Sequence, residues 1–312
     1  LLQVCKSGDH IVASECIYGG THALLESLLP QVNITTSFVE ITNMEAVKRA
    51  VTLKTRLIFT ETMGNPTLRI ADIPTLSAIA QGNGIKLIVD NTFSPMIFSP
   101  HWLGADVVVY SLTKYINGAS DLIAGAICSD KQFIQDLMNL HTGRVMLLGP
   151  TMDPRVAFDV IQRLPHLSLR IREHSRRATA MAKMLKEMGV NVIYPGLSNH
   201  PQNHLAKRLG NDGFGLGGIL AIDCGNREKA EALMEVLQNK EKFGLIAVSL
   251  GYFDTLISCS GSSTSSEIDI EDQQKMGLSP GLLRIALGYT GSLDVRLEQM
   301  KRAVQQVLFS NN

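Results

Sequence analysis

Residues 107–128, "VVVYSLTKYINGASDLIAGAIC", hold a single lysine, Lys114, where an apolar strand gives way to a glycine-bearing loop. The preceding run "DVVVY" (106–110) is almost wholly apolar, as a strand buried on both faces is. A lysine just past such a strand has two readings. It is a strand-end residue whose ammonium reaches water, or an amine held near the interior with a lowered pKa, suited to nucleophilic or Schiff-base chemistry. Spacing alone leaves both open.

The rest of the chain narrows the setting. Its 312 residues suit two domains or one large one, and 45% hydrophobic with 19% charged residues is an ordinary core-forming composition. Formal net charge is zero, with no basic block interleaved with aromatics, so neither nucleic acid nor an anionic membrane is an expected partner. No apolar run approaches the roughly 18 residues of a membrane span. Cys5, Cys16, Cys128, Cys224 and Cys259 form no CxxC pair. They predict reduced thiols in a cytoplasmic setting, with no disulfide framework and no metal site. The chain opens "LLQVCKSGDH", without Met or a signal-peptide pattern. That start reads as the back of an amphipathic helix, with the true N-terminus expected to lie further upstream.

Short β-branched runs alternate with helical patterns. Strands are expected at 10–14, 36–40, 55–60, 86–90, 106–110 and 122–128, with helices between them in "THALLESLL", "NMEAVKRAV" and "IPTLSAIAQGNG". That alternation predicts an α/β domain around a mostly parallel sheet, with ligands at the carboxyl ends of its strands. Asp90 ends one strand and Lys114 follows another, so both belong to that edge. After residue 165 a long helix (166–189) and sparser strands, at 217–224 and 282–289, predict a smaller α+β domain. The expected division is 1–165 and 166–312. The polar segment 258–274 reads as a surface loop leading into a helix.

A Schiff base alone would serve an aldolase, whereas pyridoxal phosphate requires donors for its phosphate, an aromatic face and a carboxylate for the ring nitrogen. Ser111 and Thr113 flank Lys114 and are candidate phosphate donors. Asp90 is the candidate carboxylate, and Tyr18, in "IYGGTH", the candidate stacking aromatic. Each also has an ordinary reading as a turn, cap or packing residue; together they fit one cofactor. An NAD-binding reading lacks its glycine fingerprint, since "FGLGG" (214–218) follows no expected strand.

The stretch "VDNTFSPMIFSPHWLGADVVVYSLTKYINGASDLIAGAI", with "ETMGNPTLRIADI", "LLGPTMDPRVAF", "AVSLGYFDTL" and "GLLRIALGYTG", resembles the Cys/Met-metabolism family of pyridoxal-phosphate enzymes. The resemblance runs over essentially the whole chain. It implies the aspartate-aminotransferase-like (type I) fold: a large α/β/α domain with a mostly parallel sheet, plus a smaller C-terminal α+β domain. It also implies that Lys114 is the Schiff-base lysine and Asp90 the partner of the pyridine nitrogen. Ser111 and Thr113 would be phosphate ligands, Tyr18 the ring-stacking tyrosine and acid toward the leaving group, and Asn65 a neighbour of the cofactor's 3-hydroxyl. Ser249 and Arg284 would hold the substrate α-carboxylate. Cystathionine gamma-lyases carry a glutamate where this chain has Val248, so the apolar residue implies γ-elimination from methionine. The alternatives are transsulfuration, as cystathionine gamma-synthase or lyase, homoserine-ester sulfhydrylation, or a catalytically silent scaffold. Two departures bear on activity. Gly20 stands where bacterial methionine gamma-lyases carry a cysteine, and the family's upstream phosphate ligands and neighbour-contributed Tyr and Arg precede residue 1. A cytoplasmic homotetramer of dimers with shared active sites is implied for the intact protein.

Overall fold

The structure, a computed structural model, describes residues 1–259 and 279–309. The loop and helix expected in 258–274 lie almost wholly outside the described residues. Two sheets organise the rest. In the first, β1 (His10–Ser14), β2 (Thr35–Val39), β3 (Thr55–Glu61), β4 (Lys86–Asp90), β5 (Val107–Ser111) and β6 (Gly125–Ser129) lie in the order β2-β1-β3-β4-β5-β6. The five strands β1 to β5 run parallel, and β6 pairs antiparallel with β5. A parallel return requires a crossover element of a dozen residues or more. Residues 112–124 instead form the Lys114 turn and a loop, so the last strand comes back antiparallel.

Side chains on the central strands alternate between two cores, as the pleat requires. Ile11, Ala13, Leu57 and Phe59 pack on one face with Leu25 and Leu29. Val12, Ile58, Leu87 and Val89 pack on the other with Ile73, Leu76 and Ala80 of the helix Ile73–Gly82. This is an α/β/α layering. Asn43 and Asp72 begin the helices of that second face by accepting the N–H groups of Ala46 and Thr75. The segment after Tyr18 is less regular than its pattern suggests. A short α-helix (Gly19–Ala23) runs into a π-turn (Leu24–Leu28) and a 3₁₀ turn (Leu29–Val32). Pro30, which has no N–H to give an i−4 carbonyl, sits in that last turn.

The second sheet comprises β7 (Val192–Ile193), β8 (Ile219–Asp223), β9 (Leu245–Ile246), β10 (Leu256–Cys259) and β11 (Leu282–Ala286), in the order β7-β8-β11-β10-β9. Its own core takes Met181 and Leu185 from the long helix Leu167–Glu187, and Met300 and Val304 from the closing helix Leu293–Leu308. A third cluster, including Tyr115, Ile171, Leu216, Leu250 and Ala286, joins the two halves.

Two contacts at that seam reach the turn that carries Lys114. Arg170, from the long helix, donates to the carbonyls of Tyr115 at 2.5 Å and Ile116 at 2.8 Å. Gly251 approaches from the other side with φ +74°, and a Cβ there would stand 2.5 Å from the Tyr115 nitrogen and 2.9 Å from the Lys114 carbonyl carbon. A side chain at 251 therefore strains its own backbone and displaces the lysine turn. Gly251→Ala is expected to cost about 1–3 kcal/mol, read as a lower urea midpoint. An unchanged midpoint would contradict this close approach.

Candidate active site

The parallel strands deliver three side chains to one edge. Glu61 and Asp90, in register on β3 and β4, end their strands together, and Ser111 ends β5. Lys114 follows in a π-turn (Leu112–Ile116) in which its own backbone is non-helical, at φ −86° and ψ −125°. A cavity of about 280 Å³ opens over this edge, lined among others by Tyr18, Asn65, Asp90, Ser111, Lys114 and Arg284. That volume is near the lower end of small-ligand sites, roughly 300 Å³.

Lys114 Nζ donates to Ser249 Oγ at 2.8 Å. Burial lowers the lysine pKa, and the nearby Arg284 charge lowers it further; both act against the ammonium form. Arg284, on β11, is only 2% exposed. Its guanidinium reaches Asn65 Oδ1 at 3.1 Å and the carbonyls of Val248 and Ser249 at 3.3 and 3.0 Å. Burial lowers its pKa to about 10, with Tyr115 and Glu61 pulling the other way. Its Nε is buried and has no partner among the described residues.

Asp90 accepts the Thr92 N–H at 2.8 Å, and among the described residues no cation forms an ion pair with it. Burial raises its pKa, and hydrogen bonds from Thr92 oppose the rise. Glu61 accepts N–H groups from Tyr18 at 2.7 Å and Asn65 at 3.2 Å. Burial pushes its pKa well above the usual carboxylate range, and Asp90 adds to the rise. Tyr18 is 59% exposed. Its ring lies against Gly20, where a Cβ would come within 2.6 Å of Tyr18 Cε1, so this ring position depends on the missing side chain.

Of the residues singled out from sequence, Lys114, Tyr18, Asp90, Ser111, Asn65, Ser249, Arg284 and Val248 all line the cavity, and Thr113 does not. The Thr113 hydroxyl is turned to the backbone of Ala124, donating to its carbonyl at 3.4 Å and accepting its N–H at 3.1 Å. These contacts tie the hydroxyl to the strand that follows the lysine turn. Glu61, Met63, Thr92, Phe93 and Leu250 also line the cavity and were not anticipated. Glu61 carried the same signal as Asp90: "LIFTE" ends an apolar strand on a carboxylate, just as "KLIVD" does.

Pyridoxal phosphate fits the residues present. Asp90 is a largely buried carboxylate without an ion-pair partner among the described residues, and a protonated ring nitrogen would favour its charged form. Lys114 is an amine biased toward its neutral, nucleophilic form. The Arg284 Nε donor without a partner suits a carboxylate.

Two measurements follow from these charges. The pH midpoint for uptake of pyridoxal phosphate by the cofactor-free protein should lie below the ordinary lysine value of about 10.4. It should move back toward that value in Arg284→Gln; a midpoint unaffected by the substitution would contradict the coupling. Glu61 has a folded-state pKa above its unfolded one, so the folded chain keeps a proton that the unfolded chain releases. The stability tied to that proton is present below about pH 4.3 and is lost as pH rises through the folded value. Glu61→Gln cannot titrate. Its urea midpoint relative to wild type should therefore rise from about pH 4.5 toward neutrality, and a constant difference would place an ionised glutamate in the fold.

The chain matches the family model described as "Cys/Met metabolism PLP-dependent enzyme" over residues 1–304. It is 51% identical to a methionine gamma-lyase of Arabidopsis thaliana over 305 residues, covering 97% of this chain and 69% of that protein. It is 33% identical to a cystathionine gamma-lyase of Bacillus subtilis, covering 98% of this chain and 79% of that protein. Among solved structures, a putative O-acetylhomoserine (thiol)-lyase of Campylobacter jejuni, crystallised with N'-pyridoxyl-lysine-5'-monophosphate, superposes with a TM-score of 0.89 at 28% identity, covering 97% of this chain and 79% of that one. With the two-sheet architecture and a lysine at the strand edge, these matches show that the chain belongs to the Cys/Met-metabolism family of pyridoxal-phosphate-dependent enzymes.

Proposed function

We propose that this chain is a carbon–sulfur lyase of the methionine gamma-lyase type, carrying out α,γ-elimination of L-methionine and, with uptake of one water, releasing methanethiol, 2-oxobutanoate and ammonia. The observation that carries this reading is the convergence of Lys114, Ser249, Arg284 and Asp90 on one cavity whose outer wall includes Val248. A scaffold that had lost catalysis would have no use for that set together.

In this reading Asp90 holds the cofactor's ring nitrogen, Ser111 serves its phosphate, and Asn65 lies by its 3-hydroxyl. When bound, pyridoxal phosphate supplies an aldehyde that condenses with amines and a ring that takes up the electron pair of the substrate's Cα–H bond. Arg284 and Ser249 hold the α-carboxylate, which orients the Cα–H bond toward Lys114. Lys114, with its lowered pKa, accepts the α-proton as general base. A proton then leaves Cβ, its electron pair forms the Cβ–Cγ double bond as the Cγ–S bond breaks, and Tyr18 donates a proton to the departing sulfur. Val248, 62% exposed, presents an apolar wall to the methyl thioether in place of a second polar amino-acid end.

The same reading divides the chain at residue 165, in the turn between the helices Pro154–Arg163 and Leu167–Glu187, and the two separate sheets support it. It also places the protein in the cytoplasm as a homotetramer with shared active sites. No helix among the described residues is long and apolar enough to cross a membrane. Leu147, Leu148, Phe158, Ile161 and Leu169 are large apolar side chains left exposed in the single chain, and subunit contacts would cover such surface.

The test is methanethiol release from methionine, set beside turnover of cystathionine by the same preparation. Preferential thiol release from methionine is expected, and preferential cystathionine turnover would move the chain to the transsulfuration branch. One apolar contact changes discrimination by about 1–3 kcal/mol. Val248→Glu should therefore shift the ratio of kcat/KM values toward cystathionine by about tenfold or more, and an unchanged ratio would remove Val248 from the specificity wall.

A further inference from the structure

Glu61 is a buried carboxyl to which nothing above gives a part in the chemistry, yet three cavity residues depend on it. One of its oxygens accepts the Tyr18 N–H at 2.7 Å and the other the Asn65 N–H at 3.2 Å. Asn65 passes the constraint on, because its Oδ1 takes the Arg284 guanidinium at 3.1 Å. A single side chain at the end of β3 thus joins the segment that carries Tyr18, the turn that carries Asn65, and an arginine from the second sheet.

The surroundings make this a committed use of a carboxyl. Asp90 faces Glu61 from β4 and Arg284 from β11, and Lys114 lines the same cavity. On its other side Glu61 lines a small second cavity of about 10 Å³ with Glu15, Cys16, Glu40 and Arg69. Glu61 forms no ion pair with a described cation, and among the described residues both hydrogen bonds of its carboxyl run to backbone N–H groups. Two carboxyls at neighbouring strand ends cannot both ionise cheaply. With Asp90 as the anion facing the ring nitrogen, Glu61 is left as the neutral partner. Its task is then geometric, since a neutral acid still accepts two N–H groups while adding no second negative charge beside the substrate carboxylate.

We propose that Glu61 is a positioning residue for the carboxylate end of the substrate, acting through Asn65 on Arg284 and through the backbone of Tyr18. The inference rests on the amino-acid lyase reading, because it needs Arg284 to receive an α-carboxylate. It does not need elimination to occur.

The test uses the intact, cofactor-loaded protein and two unreactive probes, L-norleucine and n-pentylamine. They share an amine and a butyl chain, and differ in the carboxylate. Affinities are read from the perturbation of the cofactor's visible absorbance. Wild type is expected to prefer norleucine. In Glu61→Ala that preference should fall about tenfold with pentylamine affinity unchanged, the scale set by two lost net hydrogen bonds. Glu61→Gln keeps one acceptor and turns a donor toward the other N–H, so it should fall between, by about threefold. Equal losses for both probes would show a general structural role and overturn the proposal, as would full retention of the preference in Glu61→Ala. A wild type with no preference for norleucine would overturn it too, by removing the carboxylate end from the site. Failure of wild type to release methanethiol would instead strike the methionine reading and leave the probe comparison standing.

Discussion

A guanidinium taken out of water must find hydrogen-bond partners or it destabilises the fold, and Arg284 is buried at the seam between the two sheets. Its partners come from both halves: Asn65 from the turn after β3, and the carbonyls of Val248 and Ser249 from the segment before β10. Satisfying this one cation therefore fixes how the second sheet meets the carboxyl edge of the first. The cavity is the space left beside that junction, and the Nε donor not used in making it remains for a ligand.

The electrostatics of the cavity follow from the same placement. Arg284 and Lys114 share one buried region, so each disfavours the charged form of the other, and the lysine, which has the lower intrinsic pKa, is the one that yields. Opposite them, parallel pairing sets Glu61 and Asp90 at adjacent strand ends, where repulsion and burial favour one proton for the pair. The site thus holds a nucleophilic amine, a carboxylate without a cation and an arginine with donor capacity to spare. Amino-acid chemistry on pyridoxal phosphate requires that combination.

Much of this was legible in the sequence because parallel strands buried on both faces are written as continuous apolar runs. The six runs of the first sheet appear within a few residues of where they were expected, and Asp90 and Lys114 share the expected edge. The departures have local causes. The helix expected over "THALLESLL" gives way to a π-turn at Leu24 and a 3₁₀ turn at Leu29, and residues 112–124 form the Lys114 turn and a loop in place of a crossover helix, so β6 returns antiparallel. The Thr113 hydroxyl lies one residue from Lys114, as its spacing dictates, and exchanges hydrogen bonds with the backbone of Ala124. Glu61 was missed because its role depends on contacts with Tyr18 and Asn65, and on an arginine more than two hundred positions away. Only the tertiary fold brings these together.

The central claim is that Lys114 is the amine on which this site is built. The direct measurement is to load the protein with pyridoxal phosphate, reduce it with borohydride, digest it and locate the pyridoxyl group by mass spectrometry. The account predicts a single modification on the peptide carrying Lys114, absent when Lys114→Ala is treated identically. Modification of another lysine, or none in the loaded wild type, would contradict it.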